Sequence, residues 1–90
     1  MKNYYLLTIN KTKATNNKAF EDKLNKALDW IQVYPNTFLI ESTSDTTRWL
    51  NRIKPVLGDN PFLLIKVDMK VHTGNLQKWI WEWITSKAKV

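Results

Sequence analysis

A single histidine, His72, and no cysteine restrict the chemistry open to this 90-residue chain. A Cys–His pair, a thiolate metal site and a disulfide framework all need side chains it lacks. A serine nucleophile would have to take His72 as its base, with Ser42, Ser44 or Ser86 attacking, and no glycine-framed elbow surrounds any of the three. Gly58 and Gly74 are the only glycines, so neither a phosphate-cradling loop nor a dinucleotide fingerprint is present. A carboxylate metal site is the catalytic option that remains. Asp29, Glu41, Asp45 and Asp68 stand near the expected ends of strands, and two of them would have to converge on one point to hold Mg²⁺. Solvated turn and cap roles account for each of them singly, so no catalytic residue, metal ligand or cofactor is assigned.

Binding is better provided for. Fourteen Lys/Arg against eight Asp/Glu give a net charge of +6, a balance that favours polyanions such as nucleic acid. The candidate nucleic-acid contacts are Lys11 and Lys13, in the connection after the first strand, and Arg48 and Arg52, four apart on the second helix and off its apolar face. Gathered on one side, these four would track a phosphate backbone; dispersed, they keep a basic surface solvated. Trp81 is the candidate interface residue, because about 100° of helical rotation from Ile80 puts it outside the centre of the apolar stripe. Such a tryptophan packs under a loop, meets a protein partner or stacks on a base. Trp79 and Trp83 read as core.

The elements that must position these residues follow from periodicity. Tyr4-Tyr5-Leu6-Leu7-Thr8-Ile9 is nearly continuous in apolar and β-branched residues, as a central strand should be. A helix begins at Asn16 or Asn17, with Phe20, Leu24, Ala27 and Leu28 on one arc and Asp22 and Lys26 placed for an i,i+4 pair. Residues 29–42 read as a hairpin: strand Asp29–Tyr34, a turn at Pro35-Asn36, and strand Thr37–Ser42. Ser44, Asp45 or Thr46 caps a second helix whose apolar face is Trp49, Leu50, Ile53, Val56 and Leu57; Pro55 should kink or stop it near Lys54, and Gly58 should terminate it. Phe62–Asp68 is the fourth strand, expected to start buried on both faces. The last helix spans about 75–88, is capped by Asn75, and carries Leu76, Trp79, Ile80, Trp83 and Ile84, with Lys87 complementing its dipole.

Together these give one α+β domain over residues 1–90: a ferredoxin-like βαββαβ sandwich with an antiparallel four-stranded sheet and an extra Trp-rich C-terminal helix. The hairpin decides it, since four strands give every amphipathic helix a sheet face to cover. The N-terminal apolar run is too short for a signal peptide and no window reaches membrane-spanning length, so a cytoplasmic protein without membrane contact is expected.

The pattern of Trp30, Tyr34 and Thr37-Phe38-Leu39-Ile40, then Ile53-Lys54-Pro55-Val56-Leu57, then Asp59-Asn60-Pro61-Phe62-Leu63-Leu64-Ile65-Lys66-Val67, then Trp79-Ile80-Trp81-Glu82-Trp83 resembles the small bacterial and phage proteins termed SinR-like. These are similar in fold to the small subunit of the CRISPR adaptation integrase and to the VapD ribonucleases. The resemblance implies the fold and a homodimer. It also implies a place for a metal-binding Asp at the end of the first strand; Asn10 stands there, without the charge that holds a hard divalent cation. The expected function is therefore a non-enzymatic, homodimeric binding module for nucleic acid or a nucleic-acid-handling protein. A metal-dependent ribonuclease of VapD-like type and a protein-interaction inhibitor or inactive toxin relative, of the kind phages carry, are the alternatives.

Overall fold

A computed structural model describes residues 2–70 and 72–88. Seven elements follow in order: β1 (Asn3–Ile9), α1 (Asn17–Leu24), β2 (Asp29–Tyr34), β3 (Thr37–Ser42), α2 (Thr46–Leu57), β4 (Phe62–Lys66) and α3 (Lys78–Ala88). The four strands form one antiparallel sheet in the order β2-β3-β1-β4. Pro35 and Asn36 reverse the chain between β2 and β3 as their turn chemistry requires, and both hairpin strands have the expected bounds.

Alternation along the strands divides the side chains between two faces. On one face Tyr5, Leu7 and Ile9 of β1 and Phe38 and Ile40 of β3 meet Phe20 and Leu24 of α1 and Trp49, Ile53 and Leu57 of α2 in a continuous core. Phe38 is its aromatic hub, with edge-to-face partners Phe20 at 5.3 Å and Trp30 at 6.0 Å between ring centroids. On the other face α3 covers part of the sheet, burying Ile31, Met69, Ile80 and Ile84.

Two polar staples hold the core side together. The buried Ser42 hydroxyl accepts the Trp49 indole N–H at 3.0 Å and the Ser44 backbone N–H at 3.0 Å. The buried Asn60 carboxamide accepts the backbone N–H groups of Thr12 (2.7 Å) and Lys13 (2.8 Å) and donates to the carbonyls of Leu57 (2.9 Å) and Lys13 (3.2 Å). One side chain thus ties the loop after β1 to the turn before β4, satisfying polar groups that burial would otherwise strand.

Several sequence expectations are corrected. α1 ends at Leu24, with Asn16 as its N-cap and Asn25 as its C-cap. Ala27 and Leu28 therefore lie beyond it, Leu28 is exposed, and the Asp22–Lys26 pairing does not arise. Asp45 is the α2 cap, accepting from the Arg48 N–H. α2 continues through Pro55 to Leu57 before Gly58, at φ 59°, ends it. Pro55 sits in the last turn, where it forgoes the hydrogen bond to the Asn51 carbonyl, and packing of Leu57 in the core offsets that loss. Leu50 is exposed on α2 and β4 stops at Lys66. Leu63 and Ile65 are 57 % and 48 % exposed, because α3 leaves the β4 side of its face uncovered. α3 starts at Lys78 rather than at 75, with the Gln77 carbonyl accepting the first helical N–H groups in place of an Asn75 cap. Trp79, read as core, is 53 % exposed.

Candidate functional site

Of the four cations expected to meet nucleic acid, Arg48 and Arg52 stand on α2 and Lys11 and Lys13 in the loop after β1. Lys13 pairs with Asp59 at 3.2 Å just past the C-terminal end of α2, and the Lys11 ammonium donates to the Asn17 carboxamide at 3.2 Å. Arg48 lies in the first turn of α2, at the opposite end from Asp59. Arg52 lies between them, its guanidinium 4.9 Å from the Trp49 ring centroid and its Nη1 buried without a hydrogen-bond partner. Stacking on Trp49 holds Arg52 against the core rather than out in solvent. Trp81 is half-buried, stacked on His72 at 5.3 Å, and a Cβ added at Gly74 would lie 3.6 Å from its ring. His72 in turn hydrogen-bonds the Met69 carbonyl at 2.8 Å.

Of the four carboxylates weighed as metal ligands, two stand apart and two come together. Asp45 caps α2 and Asp68 accepts the Lys70 backbone N–H at 2.8 Å. Asp29 and Glu41 do converge, being register partners on β2 and β3. An ammonium already stands between them: Lys87 Nζ is 2.9 Å from Asp29 Oδ2 and 3.3 Å from Glu41 Oε1. The Tyr4 hydroxyl donates to Glu41 Oε2 at 2.8 Å, the Trp83 indole N–H donates to Asp29 at 3.1 Å, and Lys87 Nζ lies 5.2 Å from the Trp83 ring centroid. Glu41 is only 5 % exposed. Asn10, where the resemblance looks for an Asp, is exposed at the opposite end of β1 from this cluster.

The ionisation of the cluster follows from its surroundings. Burial opposes charge on Asp29, but the Lys87 ammonium, the Trp30 backbone N–H and the Trp83 indole outweigh it and hold the carboxyl below its ordinary range. Burial likewise opposes charge on Lys87, and Asp29 and Glu41 outweigh it, so the ammonium is held above its ordinary value. Burial and the hydrogen bond to Glu41 both push the Tyr4 phenol up. The cluster is a charged clamp, and it fastens the end of α3 to β1, β2 and β3.

Beside this clamp, at the end of the sheet where β1 begins and β4 ends, lies a shallow open concavity of about 440 Å³. Lys2, Lys66, Lys70, Lys87, Tyr4 and Asp68 are among the residues that line it. Lys2, Lys66 and Lys70 have no acidic partner within 4.0 Å among the described residues. Lys2, Lys66 and Lys70 are exposed, and their presence along this hollow makes the region basic and suited to an anionic oxygen. No protein family, curated protein or solved structure matches this chain. The candidate site therefore rests on its own geometry.

Sequence reasoning missed the lysine-bordered hollow. Lys66 and Lys70 flank a turn and Lys2 lies 64 residues earlier, so only the β1–β4 pairing, Tyr5 against Lys66, brings them together. The clamp did leave a trace, a carboxylate at position 41 of an alternating strand on a face that a helix must cover.

Proposed function

We propose that this chain is a non-enzymatic nucleic-acid-binding module of ferredoxin-like type that holds backbone phosphates at the hollow bordered by Lys2, Lys66 and Lys70. The observation that carries the reading is that three lysines without an acidic partner among the described residues line one concavity in a chain of net charge +6. Phosphate neutralisation by lysine supplies most of the affinity of non-specific nucleic-acid binding. The antiparallel order β2-β3-β1-β4, with both crossover helices on one face, supports the ferredoxin-like description. The resemblance to the SinR-like proteins points the same way.

A homodimer is part of the proposal. Edge strand β4 has no hydrogen-bonding partner on its outer side among the described residues, and Leu63, Ile65 and Leu50 are exposed beside it. An unprotected apolar edge of this kind is a template for antiparallel pairing with a second copy. At Asp29 and Glu41, the carboxylates that converge, an ammonium stands where a divalent cation would have to sit, which favours the non-enzymatic reading over the nuclease alternative.

Filter binding against single- and double-stranded DNA and RNA over a salt series tests the reading. Affinity should fall linearly with the logarithm of salt concentration. The Lys66→Ala, Lys70→Ala double variant should flatten that slope by about 0.7–0.9 for each phosphate it no longer neutralises. Absence of salt-sensitive retention by the wild-type chain would end the nucleic-acid reading. Sedimentation tests the dimer, which Leu63→Lys should dissociate; a wild-type monomer at all concentrations would remove it.

A further inference from the structure

A second concave surface is unlike the first. Between the end of the β2–β3 hairpin and the start of α3 runs an open groove of about 710 Å³. Two aromatic rings border it, Tyr34 at 56 % exposure and Trp79 at 53 %. Among the described residues no charged side chain lines the groove; its polar groups are the carboxamides of Gln32, Asn75 and Gln77, the Tyr34 hydroxyl and the Trp79 indole N–H. The Gln77 amide oxygen accepts the Trp79 indole N–H, and the Gln32 amide donates to the Pro35 carbonyl at 3.0 Å. Each of the two interactions holds part of the groove wall in a defined position, so the exposed rings are presented on an ordered frame.

Exposed aromatic faces together with carboxamides, which both donate and accept, suit a flat ligand with a π-face and a hydrogen-bonding edge. The groove offers nothing to a charged group, whereas the chain as a whole is strongly basic. A ligand that unites uncharged planar bases with a polyanionic backbone satisfies both features. The two surfaces lie along one helix. Trp79 borders the groove and Lys87 the lysine hollow. Eight residues of α3 separate them, about 12 Å along the helix axis.

We infer that the Trp79–Tyr34 groove is a stacking site for unpaired nucleobases, so that the nucleic acid this module takes is single-stranded. The inference deepens the proposed function and rests on it. A duplex keeps its bases stacked inside and cannot offer a face to Trp79, whereas a single strand presents one at every nucleotide.

Fluorescence anisotropy with an end-labelled uridine oligomer of about twelve nucleotides, and with a duplex of matched length, tests this. The single strand should bind more tightly than the duplex. Trp79→Ala and Tyr34→Ala should each weaken single-strand binding by about 5- to 150-fold, leave duplex binding unchanged and leave the salt slope intact. Trp79→Phe, which keeps a ring in place, should recover most of the loss. Circular dichroism on each variant establishes that it is folded, and Tyr34→Ala serves as an independent probe on a different element. Folded Trp79→Ala and Tyr34→Ala variants that bind the oligomer as tightly as wild type would overturn the stacking site while leaving the phosphate reading standing. No salt-sensitive binding of either probe by the wild-type chain would overturn both. Displacement of the oligomer by a short polyproline peptide at lower concentration than by unlabelled oligomer would assign the groove to a peptide and overturn the inference.

Discussion

The two faces of the sheet are built on different physics. On the side of α1 and α2, buried apolar residues from both helices and two central strands interlock, and no ion pair among the described residues joins them. On the side of α3, a single 11-residue helix supplies Ile80 and Ile84, and the far end of that helix is held by an ammonium between two carboxylates. Dispersion and exclusion of water maintain the first face in any ordinary buffer. The second depends on protonation states and on one side chain reaching its partners. The difference shows how a small domain can keep a stable frame and still carry a helix whose attachment is separately adjustable. Both proposed binding surfaces border that more weakly held helix.

The largest blow to the contrast is Trp49→Ala. Trp49 is fully buried and hydrogen-bonded to Ser42, so its loss should cost about 3–5 kcal/mol and lower the denaturant midpoint of the whole domain. Lys87→Met comes next, at about 3 kcal/mol, since it leaves the buried Glu41 without its cation. Its signature is local: hydrogen exchange should rise in α3 well before it rises in β1 and β3. Equal acceleration in both would show that the faces are not independently held. Tyr4→Phe removes one of the two partners of Glu41 and should cost about 1 kcal/mol in thermal unfolding. Leu63→Thr, at an exposed position of β4, should change monomer stability by less than about 0.5 kcal/mol.

Acidity offers a finer test of the same contrast. Asp29 is held below its ordinary value, so its contribution is present above about pH 4, the unfolded value, and is lost as pH falls through the lower folded one. Lys87 is held above its ordinary value, so its contribution is intact below about pH 10.4 and is lost as pH rises through the higher folded one. Exchange protection of α3 should therefore be flat across the neutral range and decline at both extremes. In Lys87→Met both declines should shrink.

The hairpin was readable to the residue, because Pro35-Asn36 is a local signal and the flanking alternation is local too. Helix lengths were less so. Ala27 and Leu28 continue the apolar spacing of α1, yet the Leu28 N–H bonds to the Glu41 carbonyl and joins the sheet instead. Trp79 and Trp81 illustrate what periodicity leaves out. A helical wheel ranks positions around an axis but does not know how wide the covered surface is, nor that His72 and Gly74 wait beside position 81. The lysine hollow was hidden for a related reason: its members are far apart in the chain and meet only through strand pairing.

The central position of β1 bears on how the protein is made. First of the strands to be synthesised and third in the sheet, β1 must wait for β3 and β4, its neighbours on either side. Until residues 62–66 leave the ribosome its second edge stays open, so the nascent chain carries an unfinished apolar sheet up to that point. A stall or truncation before β4 would release a sticky fragment rather than a smaller working domain.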